Sequence, residues 1–334
     1  MKVTLAVDLM GGDKAPKSTI DGIKISLNKN DEVNFLCFGS KDAILKAQTV
    51  LGNKRCQFFE SKDDVTSEDK VNIAIRKKES SMSLCLKATQ EGKAHASISS
   101  GNTGALMSLS KLYFRTLDGI NRPAICTIIP TIESTAILLD MGANTECTPK
   151  NLLEFAMMGS AFVKGACGVA NPKVGILNIG AEETKGTQLV QDSYKLFKES
   201  IISKNFTGFI EGDELHHGKV NVIVTDGFTG NVVLKTMEGS AKTMKHFLKS
   251  YLMGSILGKF SILVGFPCFR KILKKVDPNR YNGAMFLGLN GIAVKSHGSS
   301  NAQGFANAIK VAFKLAKTDI NNTLKQEISK INNE

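Results

Sequence analysis

The sequence contains few cysteines, and no two of them are spaced as C-x-x-C. Its seven Cys residues are scattered over 334 positions, which argues against a zinc ribbon or a thioredoxin-type motif and is typical of reduced thiols in the cytosol. The first apolar stretch, residues 3–7, ends at Asp8 and is far too short for a signal peptide. These absences predict a soluble cytoplasmic protein.

Sequence motifs for nucleotide and covalent chemistry are also missing. The nearest approach to G-x-x-x-x-G-K-[ST] lies at 254–259, where the spacing is wrong and Phe260 follows, so ATP hydrolysis is disfavoured. No G-x-G-x-x-G follows the first apolar stretch, and no G-x-S-x-G marks a nucleophilic serine. The five His residues are dispersed, so we expect neither a metal nor a cofactor. The remaining chemistry is direct attack by a bound anion on a bound electrophile, with the protein supplying position and positive potential.

The composition is otherwise that of a globular protein. Apolar residues make up 42% and charged residues 22% of the chain, which excludes wholesale disorder, and 30 Gly with 7 Pro exclude a collagen-like chain. The length allows two domains or one large α/β domain. Because no interdomain linker is evident, we expect a single α/β catalytic domain over residues 1–334.

Short buried strands alternate with helical patterns along the chain. The strand patterns lie at 3–7, 34–38, 94–99, 173–179 and 220–225, and helical patterns lie at 17–27, at 151–163 after the cap Thr148-Pro149, and from Ala302 onwards. This alternation predicts a mostly parallel sheet with helices on both faces. Residues 124–129 and 135–139 flank Pro130, and we expect them to form a strand pair that projects from the sheet.

Several strands are followed by loops of similar composition. These loops contain Asp8, Gly11 and Gly12, then Ser100, Gly101, Asn102, Thr103 and Gly104, then residues 180–186, then Asp226 to Asn231, and finally residues 295–301. Parallel strands would place all of them at one sheet edge, where α/β proteins bind ligands. Glycine allows close backbone approach, and the free N–H groups of helix starts suit phosphate. The loops therefore predict a phosphate-handling site.

Positive charge is concentrated in one segment. Residues 235–280 hold ten basic and two acidic side chains, a net +8 within a total of +12. Such a block favours an acidic partner, which could be nucleic acid, an anionic membrane or an acidic protein, although a solvated helix face is the simpler alternative.

The loops and neighbouring segments match a known family. The motifs are V-D-L-M-G-G-D at 7–13, S-G-N-T-G-A at 100–105, R-P-A at 122–124, L-L-D-M-G-A-N at 138–144, G-I-L-N-I-G-A-E-E-T-K-G at 175–186, D-G-F-T-G-N-V-V-L-K at 226–235 and N-G-I-A-V-K-S-H-G-S-S at 290–300. With these motifs in order, the sequence resembles the PlsX family of phosphate acyltransferases, the acyl-ACP:phosphate transacylases. It departs from the family pattern at Leu9, Asn282 and Met285.

The resemblance implies a Rossmann-like α/β/α fold related to phosphotransacetylases and isopropylmalate dehydrogenases, and a homodimer. It implies transfer of a fatty acyl group from acyl carrier protein to inorganic phosphate, giving an acyl phosphate for a membrane glycerol-phosphate acyltransferase in phospholipid synthesis. A phosphotransacetylase acting on acyl-CoA remains an alternative. A non-enzymatic nucleic-acid or membrane binder is a second, but no RNA-binding or helix-turn-helix signature supports nucleic acid.

The resemblance and charge considerations also suggest roles for individual residues. Lys185 is the first candidate for stabilising phosphate or the oxyanion. Asn231 is the second, as a hydrogen-bond donor at a helix start, with a helix cap as the alternative. The predicted substrate-binding residues are Asp8, Gly11, Gly12, Ser100, Gly101, Asn102, Thr103, Gly104, Asp226, Lys295 and His297.

The basic block is predicted to form an amphipathic helical hairpin over 235–280. Residues 233–252 place apolar side chains on one helical face and lysines on the other, and an apolar tip follows at 260–269. Ten residues cannot span a bilayer core that needs about 20, so we expect reversible, peripheral attachment to an anionic membrane. Packing of the tip in a dimer interface is the alternative. The predicted membrane contacts are Lys259, Phe260, Leu263, Phe266, Phe269, Arg270 and Lys271.

Overall fold

A computed structural model describes residues 2–52, 54–261, 264–265 and 282–332. The strands are β1 (Val3–Asp8), β2 (Val33–Gly39), β3 (Cys56–Glu60), β4 (Ala96–Ser99), β5 (Ala124–Ile129), β6 (Ala136–Leu139), β7 (Val174–Leu177), β8 (Phe206–Ile210), β9 (Val222–Val224), β10 (Ala284–Leu287) and β11 (Ile292–Lys295). The helices are α1 (Lys17–Lys29), α2 (Lys41–Leu51), α3 (Val71–Ala74), α4 (Ser81–Gln90), α5 (Thr103–Phe114), α6 (Pro149–Cys167), α7 (Gln188–Glu199), α8 (Gly227–Met253), α9 (Ala302–Lys317) and α10 (Ile320–Asn332).

The strands form one sheet with the order β3-β2-β1-β4-β11-β10-β5-β6-β9-β7-β8. Pairing is parallel from β3 to β11 and again from β6 to β8. Helices pack on both faces, because alternate residues of the central strands enter two separate cores. On β6, Ile137 and Leu139 face α6 and α9, whereas Leu138 faces the side of α5 and α8. The predicted mostly parallel α/β architecture is confirmed.

The two parallel groups of strands run in opposite directions. They are joined by three successive antiparallel pairings, β11 with β10, β10 with β5, and β5 with β6. The loops after β1, β4 and β11 therefore lie at one edge of the sheet, and those after β7 and β9 start from the other. The prediction of one shared edge is wrong, because apolar periodicity identifies a strand without giving its direction.

The strand pair around Pro130 does not project from the sheet. β5 and β6 pair in antiparallel fashion as expected, but they lie in the middle of the sheet between β10 and β9. All four residues of β6 are buried, which follows from its cover of side chains on both faces. The prediction of a projecting pair is therefore wrong.

Local capping signals were reliable where the chain enters α6. The Thr148 hydroxyl oxygen accepts a hydrogen bond from the Asn151 N–H, and the Asn151 side-chain oxygen accepts one from the Thr148 N–H. Pro149 occupies the first helical position. The helix ends at Gly168, whose φ of +74° is the left-handed conformation common at helix ends.

Candidate active site

Three glycine-rich loops of the first strand group meet at one edge of the sheet. β4 lies between β1 and β11, so the loops that follow these strands are neighbours. The Asp13 N–H donates to the Gly298 carbonyl at 2.9 Å, and the Lys295 ammonium lies 3.4 Å from the Ser100 carbonyl oxygen. The structure thus brings together the predicted residues of the 8–13, 100–104 and 295–301 loops.

The close approach of these loops requires glycine. A Cβ atom on Gly11 would lie 2.5 Å from the Gly101 nitrogen, and one on Gly12 would lie 2.9 Å from the Ser100 Cβ. Gly12 also has a φ of +102°, which L-residues with a side chain rarely adopt. The absence of side chains at Gly11 and Gly12 therefore allows the backbones of the 8–13 and 100–104 loops to pack against each other.

The Asp8 carboxylate links the loops after β1 and β4 through hydrogen bonds. Its side chain is 1% exposed and accepts hydrogen bonds from the hydroxyls of Ser81 at 2.7 Å and Ser99 at 2.6 Å. It also accepts the Met10 N–H at 3.0 Å. Asp8 was predicted to bind substrate, but these contacts give it an anchoring role that joins β1, α4 and β4.

The start of α5 contributes a positive helix end to the same edge. Asn102 caps the helix by accepting the Ala105 N–H at 3.1 Å, and its amide donates to the Ser67 carbonyl at 3.1 Å. Thr103 and Gly104 are the first helical residues, whose N–H groups have no partner within the helix. This arrangement suits an anionic group.

Helix α8 starts at the opposite edge of the sheet, where its first turn packs against the 140–144 loop. Asp226 is its cap, accepting the Thr229 N–H at 2.9 Å and the Thr229 hydroxyl at 2.7 Å. The alternative interpretation of Asn231 as the cap is therefore wrong. Gly230 packs so tightly on the Asp140 carbonyl that a Cβ atom there would collide with it.

Buried hydrogen bonds of Asp140 and Asn144 fix the backbone of the 140–144 loop. The Asp140 carboxylate is buried and accepts the backbone N–H groups of Ile125 at 2.9 Å and Asn144 at 2.7 Å. The Asn144 amide donates to the Pro123 carbonyl at 2.9 Å. The R-P-A and L-L-D-M-G-A-N motifs therefore contact each other, and burial raises the pKa of the Asp140 carboxyl.

A polar stripe on α8 connects the two edges of the sheet. Asn231, Lys235 and Glu238 are spaced so that they share one helical face. The Lys235 Nζ lies 3.2 Å from Glu238 Oε2 and 3.1 Å from His297 Nε2. Glu238 Oε1 lies 3.3 Å from the same His297 nitrogen. Helix α8 thus brings Lys235 and Glu238 to the 295–301 loop, whereas Asn231 lies next to Gly142.

Charged side chains in this region shift one another's pKa values. Burial, together with the nearby Lys235 ammonium, lowers the pKa of Lys295 to about 8. The hydrogen bond from His297, together with Lys235, lowers the pKa of Glu238 to about 2. A bound anion would relieve the repulsion between these two ammonium groups. Within the described ranges, no cluster of three or more His, Cys, Asp or Glu side chains is arranged to hold a metal ion.

Lys185 lies at the other edge of the sheet from Lys295 and His297. It is exposed in the loop after β7, at the edge from which α8 starts. Its backbone is held locally, because the Asn178 amide donates to the carbonyls of Gly180 at 3.1 Å and Lys185 at 3.3 Å. The structure therefore groups Lys185 with the β7 and β9 loops and groups Lys295 and His297 with the β1 and β4 loops.

Sequence reasoning missed several residues of this region. Lys235 was assigned to the lysine face of the predicted amphipathic helix and Glu238 received no role, although both follow Asn231 at helical spacing. That spacing is the signal that could have found them. The contact with His297 had no local signal, because it joins positions 62 residues apart.

The predicted membrane segment is described only in part. Phe260 is 61% exposed and Lys259 is exposed, whereas Leu263, Phe266, Phe269, Arg270 and Lys271 lie outside the described residues. Val233 and Met237, from the predicted apolar face of α8, pack against the core. Tyr251, from the same face, is 79% exposed. Among the described residues, no helix combines the length and apolar character needed to cross a bilayer.

Comparison with known proteins gives consistent matches over nearly the whole chain. A family model described as "Fatty acid synthesis protein" matches residues 3–323. The chain is 44% identical over 332 residues to a phosphate acyltransferase of Rhodospirillum rubrum, covering 98% of this chain and 95% of the relative. It is 42% identical over 335 residues to a phosphate acyltransferase of Ehrlichia ruminantium, covering 98% of each.

The fold also matches that of a solved structure. A phosphotransacetylase from Streptococcus pyogenes superposes with a TM-score of 0.61 at 11% sequence identity, covering 95% of this chain and 94% of that one. This likeness concerns the fold alone, and it confirms the predicted similarity to the phosphotransacetylase fold. On the family model and the two curated relatives, the chain is an enzyme and belongs to the phosphate acyltransferase family.

Proposed function

We propose that this enzyme transfers a fatty acyl group from acyl carrier protein to inorganic phosphate. A phosphate oxygen forms a bond to the thioester carbonyl carbon, the carbon–sulfur bond breaks, and its electron pair leaves with the thiolate of the carrier. The products are an acyl phosphate and the free carrier thiol. The observation that carries this proposal is the convergence of Lys235 and Lys295 on three glycine-rich loops.

The phosphate dianion is proposed to bind where these elements meet. Its charge relieves the repulsion between the two ammonium groups, and the first N–H groups of α5, at Thr103 and Gly104, supply donors without side-chain reorganisation. The site thereby fixes the nucleophile in position, which is the main requirement of a reaction with a good leaving group.

The developing oxyanion is proposed to be stabilised from α8 and from the β7 loop. Asn231 lies one helical turn before Lys235, so its amide can donate to the carbonyl oxygen of a thioester placed next to bound phosphate. Lys185 is the proposed cationic partner. A thiolate leaves without a strong general acid, so these donors and the phosphate site account for the chemistry.

The direct test is incubation of the purified enzyme with acyl carrier protein bearing a long acyl chain and with inorganic phosphate. Acyl phosphate formation is followed by mass spectrometry and carrier release by thiol titration, without added nucleotide. We expect both products in equal amounts. Turnover with acetyl-CoA but not with the acylated carrier would overturn the proposed donor and favour a phosphotransacetylase.

We further propose that the enzyme acts as a homodimer in the cytoplasm, at the surface of an anionic membrane. Exposed apolar side chains cluster at the far end of α8 and just beyond it, and they include Phe247, Tyr251, Met253, Ile256, Leu257, Phe260 and Val264. Such a patch is typical of an interaction surface. Attachment there would deliver a labile acyl phosphate to a membrane glycerol-phosphate acyltransferase for phospholipid synthesis.

A further inference from the structure

Asn282 makes an unusually complete set of hydrogen bonds beside the candidate active site. It lies just before β10, and its side chain is 9% exposed. Its amide nitrogen donates to the Ser296 hydroxyl at 2.8 Å and to the Gly304 carbonyl at 2.8 Å. Its amide oxygen accepts the His297 N–H at 2.9 Å. Both donor hydrogens and the acceptor are therefore used.

These bonds fix the loop that carries His297. Asn282 ties the beginning of this loop to the first turn of α9, and the hydroxyls of Ser296 and Ser300 lie 3.0 Å apart, which closes the loop on itself. The 295–301 loop is therefore held at both of its ends by buried polar contacts. His297, between these two ends, contacts Lys235 and Glu238 of α8.

The fixed loop in turn orients the imidazole. The Ser299 N–H donates to His297 Nδ1 at 3.2 Å, so Nδ1 acts as an acceptor and the ring presents Nε2 to α8. This nitrogen lies 3.3 Å from Glu238 Oε1. The imidazole is thus directed to the Glu238 side chain, which also pairs with Lys235 at 3.2 Å.

From this geometry we infer that Asn282 is a positioning residue of the phosphate site, an inference that rests on the proposed function. Lys295 precedes Ser296, and Lys235 contacts His297, so the loop held by Asn282 sets the separation of the two ammonium groups. The Lys235 and Lys295 ammonium groups repel each other. Without the Asn282 contacts, these two groups can move apart. Their geometry then no longer matches a phosphate dianion, and binding of the nucleophile weakens.

The test compares Asn282→Ala with a matched variant, Asn221→Ala. Asn221 is also 9% exposed, accepts the Lys173 N–H at 3.0 Å and donates to the Thr135 carbonyl at 3.1 Å, at the start of β9 away from the loops. Both variants remove a buried amide and lower the melting temperature. At a temperature well below both transitions, we expect Asn282→Ala to raise the KM for phosphate at least tenfold while the KM for the acyl donor changes less than twofold. Asn221→Ala is expected to leave both KM values unchanged.

Binding of inorganic phosphate to each protein, measured by calorimetry without acyl donor, separates this inference from the proposed function. If the wild-type protein fails to bind phosphate or to form acyl phosphate, the proposed function fails. If Asn282→Ala binds phosphate as tightly as the wild-type protein and Asn221→Ala do, the role of Asn282 is refuted. Should Asn282→Ala not fold, Asn282→Leu keeps a similar side-chain volume and adds no charge, but loses the hydrogen bonds. We then expect at least a threefold weaker phosphate affinity, and unchanged affinity would refute the inference.

Discussion

The side chains of Lys235 and His297 meet across the two halves of the sheet, with Nζ and Nε2 3.1 Å apart. Lys235 lies on a helix that starts from the strands running in one direction, and His297 follows a strand running in the other. Their contact is the point at which the two groups of glycine-rich loops become parts of one region. We therefore expect replacement of residues at this contact to change phosphate binding most directly.

Replacing Lys235 by Met is expected to raise the KM for phosphate by about 10- to 100-fold, because one charge-assisted contact to an anion contributes about 1.5–3 kcal/mol. Lys249→Met, on the exposed outer part of the same helix, is the control and should leave KM unchanged. Steady-state kinetics with varied phosphate measures both. Equal KM values in the two variants would remove Lys235 from the site.

Replacing Lys185 or Asn231 by Ala is expected to lower turnover by about 10²–10³, the usual cost of removing a preorganised oxyanion donor. Both side chains are exposed, so the free energy of unfolding should change by less than about 1 kcal/mol. Lys195→Ala, an exposed lysine on the neighbouring α7, is the control. A residue whose replacement leaves wild-type turnover has no part in the reaction.

The pH dependence of phosphate binding should follow Lys295. Because burial lowers its pKa to about 8, the ammonium is charged below that pH and loses its proton above it. We expect the KM for phosphate to rise as the pH increases from 8 to 9.5. Lys295→Arg, which stays charged throughout, should flatten this rise. A wild-type KM that is constant over this range would contradict the assignment of Lys295 to the anion site.

Acid stability should report on Glu238. The His297 contact and Lys235 hold its pKa at about 2, below the value of 4.5 for an unperturbed Glu. A group with a lowered folded-state pKa contributes stability above its unfolded pKa, and this contribution is lost as the pH falls through the folded pKa. Urea unfolding at pH 6 and pH 3 is expected to show a smaller acid loss in Glu238→Gln than in wild type. Identical losses would show that the pairing contributes nothing to stability.

Binding to vesicles tests the proposed membrane surface. The double variant Leu257→Glu with Phe260→Glu removes two exposed apolar side chains, each able to contribute about 1.5–3 kcal/mol on full burial. We expect co-sedimentation with anionic vesicles to fall at least tenfold, and wild-type binding to weaken at high salt. Leu45→Glu with Leu112→Glu is the control, since both side chains are similarly exposed on α2 and α5. Unchanged vesicle binding by the first variant, with conversion to monomers, would assign the patch to a dimer interface.

The sequence predicted those features that depend on neighbouring residues. The apolar run ending at Asp8 became β1, and the Thr148-Pro149 pair opened α6, because burial and capping are local in the chain. The direction of β6 could not be predicted in this way, since it depends on β10 pairing between β5 and β11. The roles of Lys235 and Glu238 were missed for the same reason, because their partner His297 is brought to them only by the sheet.

Helix α8 is continuous from its Asp226 cap to Met253. At a rise of 1.5 Å per residue, Lys235 lies about 12 Å from the capped end and Tyr251 about 36 Å from it. A tilt of about five degrees around the cap moves the Lys235 backbone by about 1 Å, a displacement large enough to alter rates in positioned reactions. A tilt of the helix imposed at its exposed outer end would therefore change the spacing between Lys235 and His297.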